Sequence, residues 1–291
     1  MPPNPREEKL INNLRSKISS LPGLKDGGKY LSEDLWVRHC IELKNNLLNK
    51  DPREFLKWDV MLKTMYHQTD EVEFNFLKSH PNWELFKKAI KREFPVFHSV
   101  PYFAYRSTNS NTVHHAYHIA QLLKYANINI NKLSTVFEFG GGYGNMCRLF
   151  FNLGFKGNYT IFDLPIFNEL QRYYLSSLGL PLASDNLNNI KKTSNIILMS
   201  DTKNILDDFC NKGLFIGTWS ISEVPVYFRK KIFKIIGNPD YFLLAYQNNF
   251  EEVDNVKYFK SFCAEKKNYL WHDFEIEHLK GNRYLIGEKI K

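Results

Sequence analysis

The chain has 291 residues, of which 43% are hydrophobic and 24% charged, with a net charge of +8 and a pI near 9.1. Those proportions suit one large or two small folded domains and exclude a disordered or low-complexity chain. No apolar run approaches the ~18 residues that would span a bilayer. The opening residues, Met1 to Glu8, lack the basic-then-apolar pattern of a signal peptide, and Cys40, Cys147, Cys210 and Cys263 form no C-x-x-C pair. The expectation is a cytoplasmic protein with reduced thiols and no transmembrane segment.

Residues 1–120 read as a helical region that packs on the rest of the chain and caps its active site. Trp36, Cys40, Leu43 and Leu47 form an apolar stripe after Ser32. Asp51-Pro52 opens a further helix, with Asp as N-cap and Pro in the first position. Phe55, Trp58, Leu62 and Met65 then line one face. Residues 70–94 give one or two helices interrupted near Pro81, 95–113 a loop, and 114–125 a helix. From Ser134 short β-prone runs alternate with helical ones, at 135–139, 158–162, 195–199, 213–218, 240–246, 271–277 and 283–287. Such alternation predicts a mostly parallel sheet between helical layers, in a domain of residues 121–291. The short turn around Gly281 makes the last two runs an antiparallel edge hairpin.

Residues 135–144 (Thr-Val-Phe-Glu-Phe-Gly-Gly-Gly-Tyr-Gly) are the most informative. A strand ends in Glu138, and Gly140, Gly141, Gly142 and Gly144 then allow positive φ and close approach of a ligand to the backbone. The dinucleotide fingerprint G-x-G-x-x-G has a different spacing, and a carboxylate at the strand end suits a cationic ligand better than a pyrophosphate. Asp163 closes the second strand, 25 residues after Glu138. The pattern resembles motif I of the Rossmann-like class I methyltransferases that use S-adenosyl-L-methionine (SAM), with Asp163 where that family binds both ribose hydroxyls and Leu164 beside it.

Ligands of open α/β sheets lie beyond the carboxyl ends of the strands. Asp201, after the third strand, is placed to reach an adenine amine or to cap a helix. Thr218, Trp219 and Glu223, after the fourth, border the expected methyl position. Tyr246 and Asn248, after the fifth, offer groups suited to sugar hydroxyls. Glu223, His278, His114 and His115 are the candidates for a general base. Asp207-Asp208 and Glu251-Glu252 are adjacent acids that more often face solvent than hold Mg²⁺, so no metal is expected.

Several segments in order resemble the bacterial family of sugar O-methyltransferases. They are Phe55 to Met65, Asn111 to Leu122, Val136 to Gly144, Asp163-Leu-Pro with Gln171 and Tyr173 to Leu175, Thr218 to Val224, and Gly281 to Gly287. The resemblance spans roughly residues 50–290 and implies SAM as cofactor and a sugar or glycoconjugate acceptor, nucleotide- or lipid-linked. Where that family often has Arg in the upstream helix, His114 and His115 stand here, which leaves open whether His114 holds the SAM carboxylate. Lys and Arg are spread among glutamates, with no Arg-rich arm or aromatic RNA-binding motif, so nucleic acid is not the expected partner. Another small-molecule or lipid acceptor, a silent SAM-binding subunit and an NAD-dependent oxidoreductase are the alternatives.

Overall fold

The computed structural model describes residues 2–23, 31–65, 71–93, 96–183, 195–204, 210 and 212–290. The earlier strands are β1 (Thr135–Phe139), β2 (Asn158–Phe162), β3 (Ile196–Met199), β4 (Leu214–Thr218) and β5 (Tyr241–Gln247). They form one sheet with β8 (Tyr269–Glu275) and β9 (Asn282–Lys289), in the order β3-β2-β1-β4-β5-β9-β8. The first five strands are parallel, and β9 runs antiparallel to both β5 and β8. A mostly parallel seven-stranded sheet with that order and edge is the Rossmann-like fold of class I methyltransferases. Two short strands, β6 (Asn249–Phe250) and β7 (Val253–Asp254), form a separate hairpin after β5.

Alternation along the strands divides the core. Val136, Tyr159 and Ile161 face α6 (Ser110–Tyr125), α7 (Asn145–Asn152) and α8 (Pro165–Ser177). Phe137, Phe139, Phe162 and Phe215 face α9 (Val226–Ile236) and α10 (Asn255–Glu265) on the other side. Burial on both faces explains why the strands read as short apolar runs. The order of β1 and β4, adjacent at the middle of the sheet, places the switch point at the carboxyl end of β1.

The N-terminal helices are α1 (Pro5–Ser20), α2 (Leu31–Asn49), α3 (Asp59–Thr64), α4 (Glu71–Ser79) and α5 (Trp83–Ala89). Their apolar faces join the same core as α6–α8. Two local expectations are corrected. The segment after Asp51 is not one helix: a 3-10 turn over Pro52–Lys57 ends at Trp58, whose extended backbone (φ −74°, ψ 143°) separates it from α3. The break turns Leu62 outward, 39% exposed, while Phe55 and Trp58 stay buried. The helix expected from 114 begins at Ser110, because the Asn109 side chain accepts from the Thr112 amide. It therefore runs across position 120.

A buried ion pair ties the helical half to the sheet. Arg148 on α7 lies 3.2 Å from Glu93, and both side chains are almost fully enclosed. Arg148 also donates to the Lys91 carbonyl, Thr112 Oγ1 and Asn145 Oδ1, while Glu93 accepts from the Tyr174 hydroxyl. Removing one partner of such a pair leaves the other charge buried, at a cost of about 3–5 kcal/mol. Arg148→Met should accordingly lose about that much unfolding free energy in urea titration. A loss below about 1 kcal/mol would show that Glu93 is not left as an uncompensated buried charge.

Candidate functional site

Between β1 and α7 the chain turns on three glycines of positive φ: Gly140 (+70°), Gly142 (+59°) and Gly144 (+93°). The Gly140 amide donates to the Phe162 carbonyl and the Gly144 amide to the Gly141 carbonyl, after which α7 begins. Side chains are excluded by space as well as by conformation. A Cβ on Gly140 would overlap the Ser220 side chain, and one on Gly142 would stand 2.8 Å from the Met65 sulfur. Gly142 thus faces Met65 at the end of α3, which covers that part of the turn.

Asp163 fastens the turn to β2. Its Oδ2 accepts from the Gly142 amide at 3.0 Å and from Gln171 Nε2 at 2.9 Å, and its Oδ1 accepts from the Leu164 amide at 2.7 Å. Gln171 Nε2 also donates to the Gly142 carbonyl. Burial outweighs these bonds and raises the Asp163 carboxyl to about 7. Leu164 itself is exposed.

Glu138 sits beneath the turn rather than in it. Only 3% exposed, it accepts from the Tyr159 hydroxyl at 2.9 Å on the face shared with α7. A Cβ on Gly141 would lie 3.0 Å from its Oε2. The expectation of a direct ligand contact is therefore corrected: strand alternation points Glu138 into the core, where it supports the turn from below.

At the carboxyl end of β4, Trp219 adopts φ 61°, ψ −42°, unusual for a residue with a Cβ. Such conformations cost of order 1–3 kcal/mol and persist only where surroundings impose them. The Trp219 amide donates to the Ala245 carbonyl, and its indole donates to Asn282 Oδ1 at 2.7 Å. Behind it, Arg229 is fully buried and donates to the carbonyls of Val224 and Ser222 and to Asn255 Oδ1. Glu223, in the same turn, accepts from Gln247 Nε2 at 3.3 Å, and burial raises its carboxyl above the usual range.

Around Trp219 the fold collects imidazoles. His114 stacks on its indole, with ring centroids 5.5 Å apart, and His118 packs against both. His114 Nδ1 and His278 Nε2 each lie 2.8 Å from the same oxygen, Oε1 of Glu73 on α4. Burial alone would raise the Glu73 carboxyl, but the two histidine hydrogen bonds overcome it and hold it near 2. Glu73 is 0% exposed. Nothing in its sequence context marks it, and only its buried position on the amphipathic α4 separates it from surface glutamates.

The remaining candidates separate. Asn145 Nδ2 donates into His115 Nδ1, since Asn145 Oδ1 already accepts from Arg148. His115 therefore carries its proton on Nε2 and is corrected from a base to a packing residue. Tyr246 is fully buried on the β5 face that packs against Phe259, and its hydroxyl donates to Asp273, so its expected sugar contact is corrected too. The alternation Phe242, Leu244, Tyr246 would have signalled this. Asn248 follows β5: its backbone amide donates to the Gly281 carbonyl, and its buried Oδ1 has no partner among the described residues. Thr218 ends β4 beside Trp219, half-buried. Asp201 accepts from the Lys203 amide and caps a 3-10 turn, outside this cluster. Glu251 and Glu252 are exposed on the β6–β7 turn, and Asp207-Asp208 lie outside the described residues.

No protein-family model and no curated protein sequence matches the chain. Solved structures are similar to it at low identity. One is an assigned SAM-dependent methyltransferase of Methanococcus maripaludis, 12% identical over 78% of this chain and 95% of that one, with a TM-score of 0.42. Another is the mitomycin 7-O-methyltransferase MmcR, 13% identical over 98% and 76%, TM-score 0.40. A third is an assigned RNA methyltransferase of Pyrococcus horikoshii, 13% identical over 72% and 98%, TM-score 0.41. Each is a likeness of fold.

The buried acid beneath the turn gives the site a pH signature. Burial, joined by the nearby Asp163 charge and opposed by the Tyr159 hydrogen bond, raises Glu138 from 4.5 to about 8. A carboxyl raised on folding binds its proton more tightly in the native state, so its stabilising contribution is complete below 4.5 and is lost as pH climbs to about 8. Glu138→Gln, neutral throughout, should gain melting temperature relative to wild type progressively from pH 5 to pH 8. A constant difference across that range would contradict a protonated Glu138.

Proposed function

We propose that the chain is a SAM-dependent O-methyltransferase that methylates a hydroxyl of a sugar in polysaccharide or glycoconjugate assembly. The observation that carries the cofactor is Asp163, held at the mouth of a positive-φ glycine turn by the Gly142 amide and Gln171. A carboxylate so held accepts from paired ribose hydroxyls, and glycines without Cβ admit the ligand to the backbone. Together with the positive φ of Gly140, Gly142 and Gly144, which keeps side chains out of the turn, these groups fit an adenosine bearing a sulfonium. When bound, SAM supplies a methyl group already attached to a good leaving group.

The chain's own residues do the rest. The turn and Asp163 orient the adenosine end, and the N-terminal region caps it, with the flexible Met65 side chain giving way at Gly142. Trp219, fixed by Ala245 and Asn282, forms the wall where β4 ends. In-line transfer is chiefly a matter of holding the acceptor oxygen in place and excluding water. A hydroxyl also needs its proton accepted, and the imidazoles around Trp219 are suited to that task. Asn248 Oδ1, buried and with no partner among the described residues, is a ready acceptor for a sugar hydroxyl.

Two measurements bear on this reading. Calorimetric titration should give SAM binding and no NAD binding, and Asp163→Ala should weaken the SAM affinity at least tenfold through loss of charge-assisted hydrogen bonds. Unchanged affinity in that variant would remove Asp163 from the cofactor site. Incubation with labelled SAM and a panel of nucleotide-linked and free sugars should then yield S-adenosylhomocysteine with at least one sugar. Turnover with apolar phenols alone would move the assignment to another acceptor class.

A further inference from the structure

Glu73 is joined to two histidines that come from far apart in the chain. His114 lies on α6, and His278 lies in the connection between β8 and β9, 205 residues from Glu73. That connection is docked on the strand ends: Asn282 accepts from the Trp219 indole, and the Gly281 carbonyl accepts from the Asn248 amide. His114 stacks on Trp219, the wall of the proposed acceptor site, and His278, in that connection, packs edge-on against Tyr117.

The single shared oxygen dictates where the protons are. An ionised carboxylate only accepts, so each ring nitrogen facing Oε1 must carry a hydrogen. His114 is therefore protonated on Nδ1 and His278 on Nε2, each tautomer set by the carboxylate it faces. In the neutral rings the lone pairs then lie on His114 Nε2 and His278 Nδ1. Around them stand Tyr117, edge-on to His278, and His118 and Tyr284, which are hydrogen-bonded to each other. None of these presents a second carboxylate to the pair. Glu73 Oε2 has no partner among the described residues, so the hydrogen bonds that the carboxylate accepts come from the two imidazoles.

We infer that Glu73 is a positioning residue of the proposed reaction: its carboxylate fixes the tautomers of His114 and His278 so that His278 Nδ1 takes the proton of the acceptor hydroxyl. Atoms and charges balance. The acceptor oxygen forms its bond to the methyl carbon, the sulfur keeps the electron pair of the broken bond, and the hydroxyl proton moves to Nδ1 and later to water. The imidazolium formed faces a carboxylate, which stabilises it as it appears. This inference rests on the methyltransferase reading above for its catalytic part, whereas the proton positions do not.

Ring-nitrogen correlation NMR on ¹⁵N-labelled protein, with His114→Gln and His278→Gln to assign signals, tests the arrangement without any substrate. The expected result is one tautomer for each ring, His278 with its proton on Nε2 and His114 on Nδ1, and a mixture for His278 in Glu73→Leu. A His278 protonated on Nδ1, or an unchanged ratio in Glu73→Leu, overturns the inference; if that variant does not fold, the wild-type tautomers decide alone. With a sugar that turns over, Glu73→Gln should lower kcat about 10²-fold and leave the calorimetric SAM affinity within about twofold. A change confined to KM overturns the catalytic role. Absence of SAM binding in the wild type would instead defeat the methyltransferase reading and leave the tautomer result standing.

Discussion

The hydrogen bond from the Gly142 amide to Asp163 joins the ends of the first two parallel strands, and the site is organised around it. It holds the turn in a conformation that only glycine adopts without strain, and it sets a carboxylate beside the half-buried backbone of Gly142. Gln171 doubles the connection by bonding both partners. Glu138 supports the same turn from within the core, bonded to Tyr159 across the strand pair. The two acids are thus different in kind: Asp163 bonds the amide of the turn, and Glu138 braces the turn from the core.

The second half of the site is built by packing across the whole chain. Trp219 takes a strained backbone that its hydrogen bonds to Ala245 and Asn282 hold in place. Against it, α6 brings His114 and His118, α4 brings Glu73, and the edge hairpin brings His278. The Glu93–Arg148 pair keeps α6 and α7 in register with the N-terminal helices, since Arg148 bonds Thr112, Lys91 and Asn145 together. The helical region therefore supplies a buried carboxylate as well as apolar packing.

Pattern made much of this legible. The seven sheet strands follow from alternating β-prone and helical runs, and their bounds differ from the expected ones by two residues or fewer. Where pattern failed, a specific local force won. Asn109 started α6 four residues early by capping Thr112, and the extended backbone at Trp58 broke a stripe that spacing alone made continuous. Tyr246 looked like a cleft residue from its place at a strand end, yet period-two alternation sends it into the core beside Phe259.

The sequence by itself determined the glycine turn, the acid that follows the second strand and the sheet that carries them, because glycine's freedom and strand periodicity act over a few residues. Tertiary structure alone decided which histidine meets which carboxylate. Glu73, His114 and His278 share no local pattern, and their meeting depends on an edge hairpin folding back over the strand ends to bury a charge that two imidazoles then satisfy. Such contacts are set by packing between distant segments, and no short stretch of residues contains them.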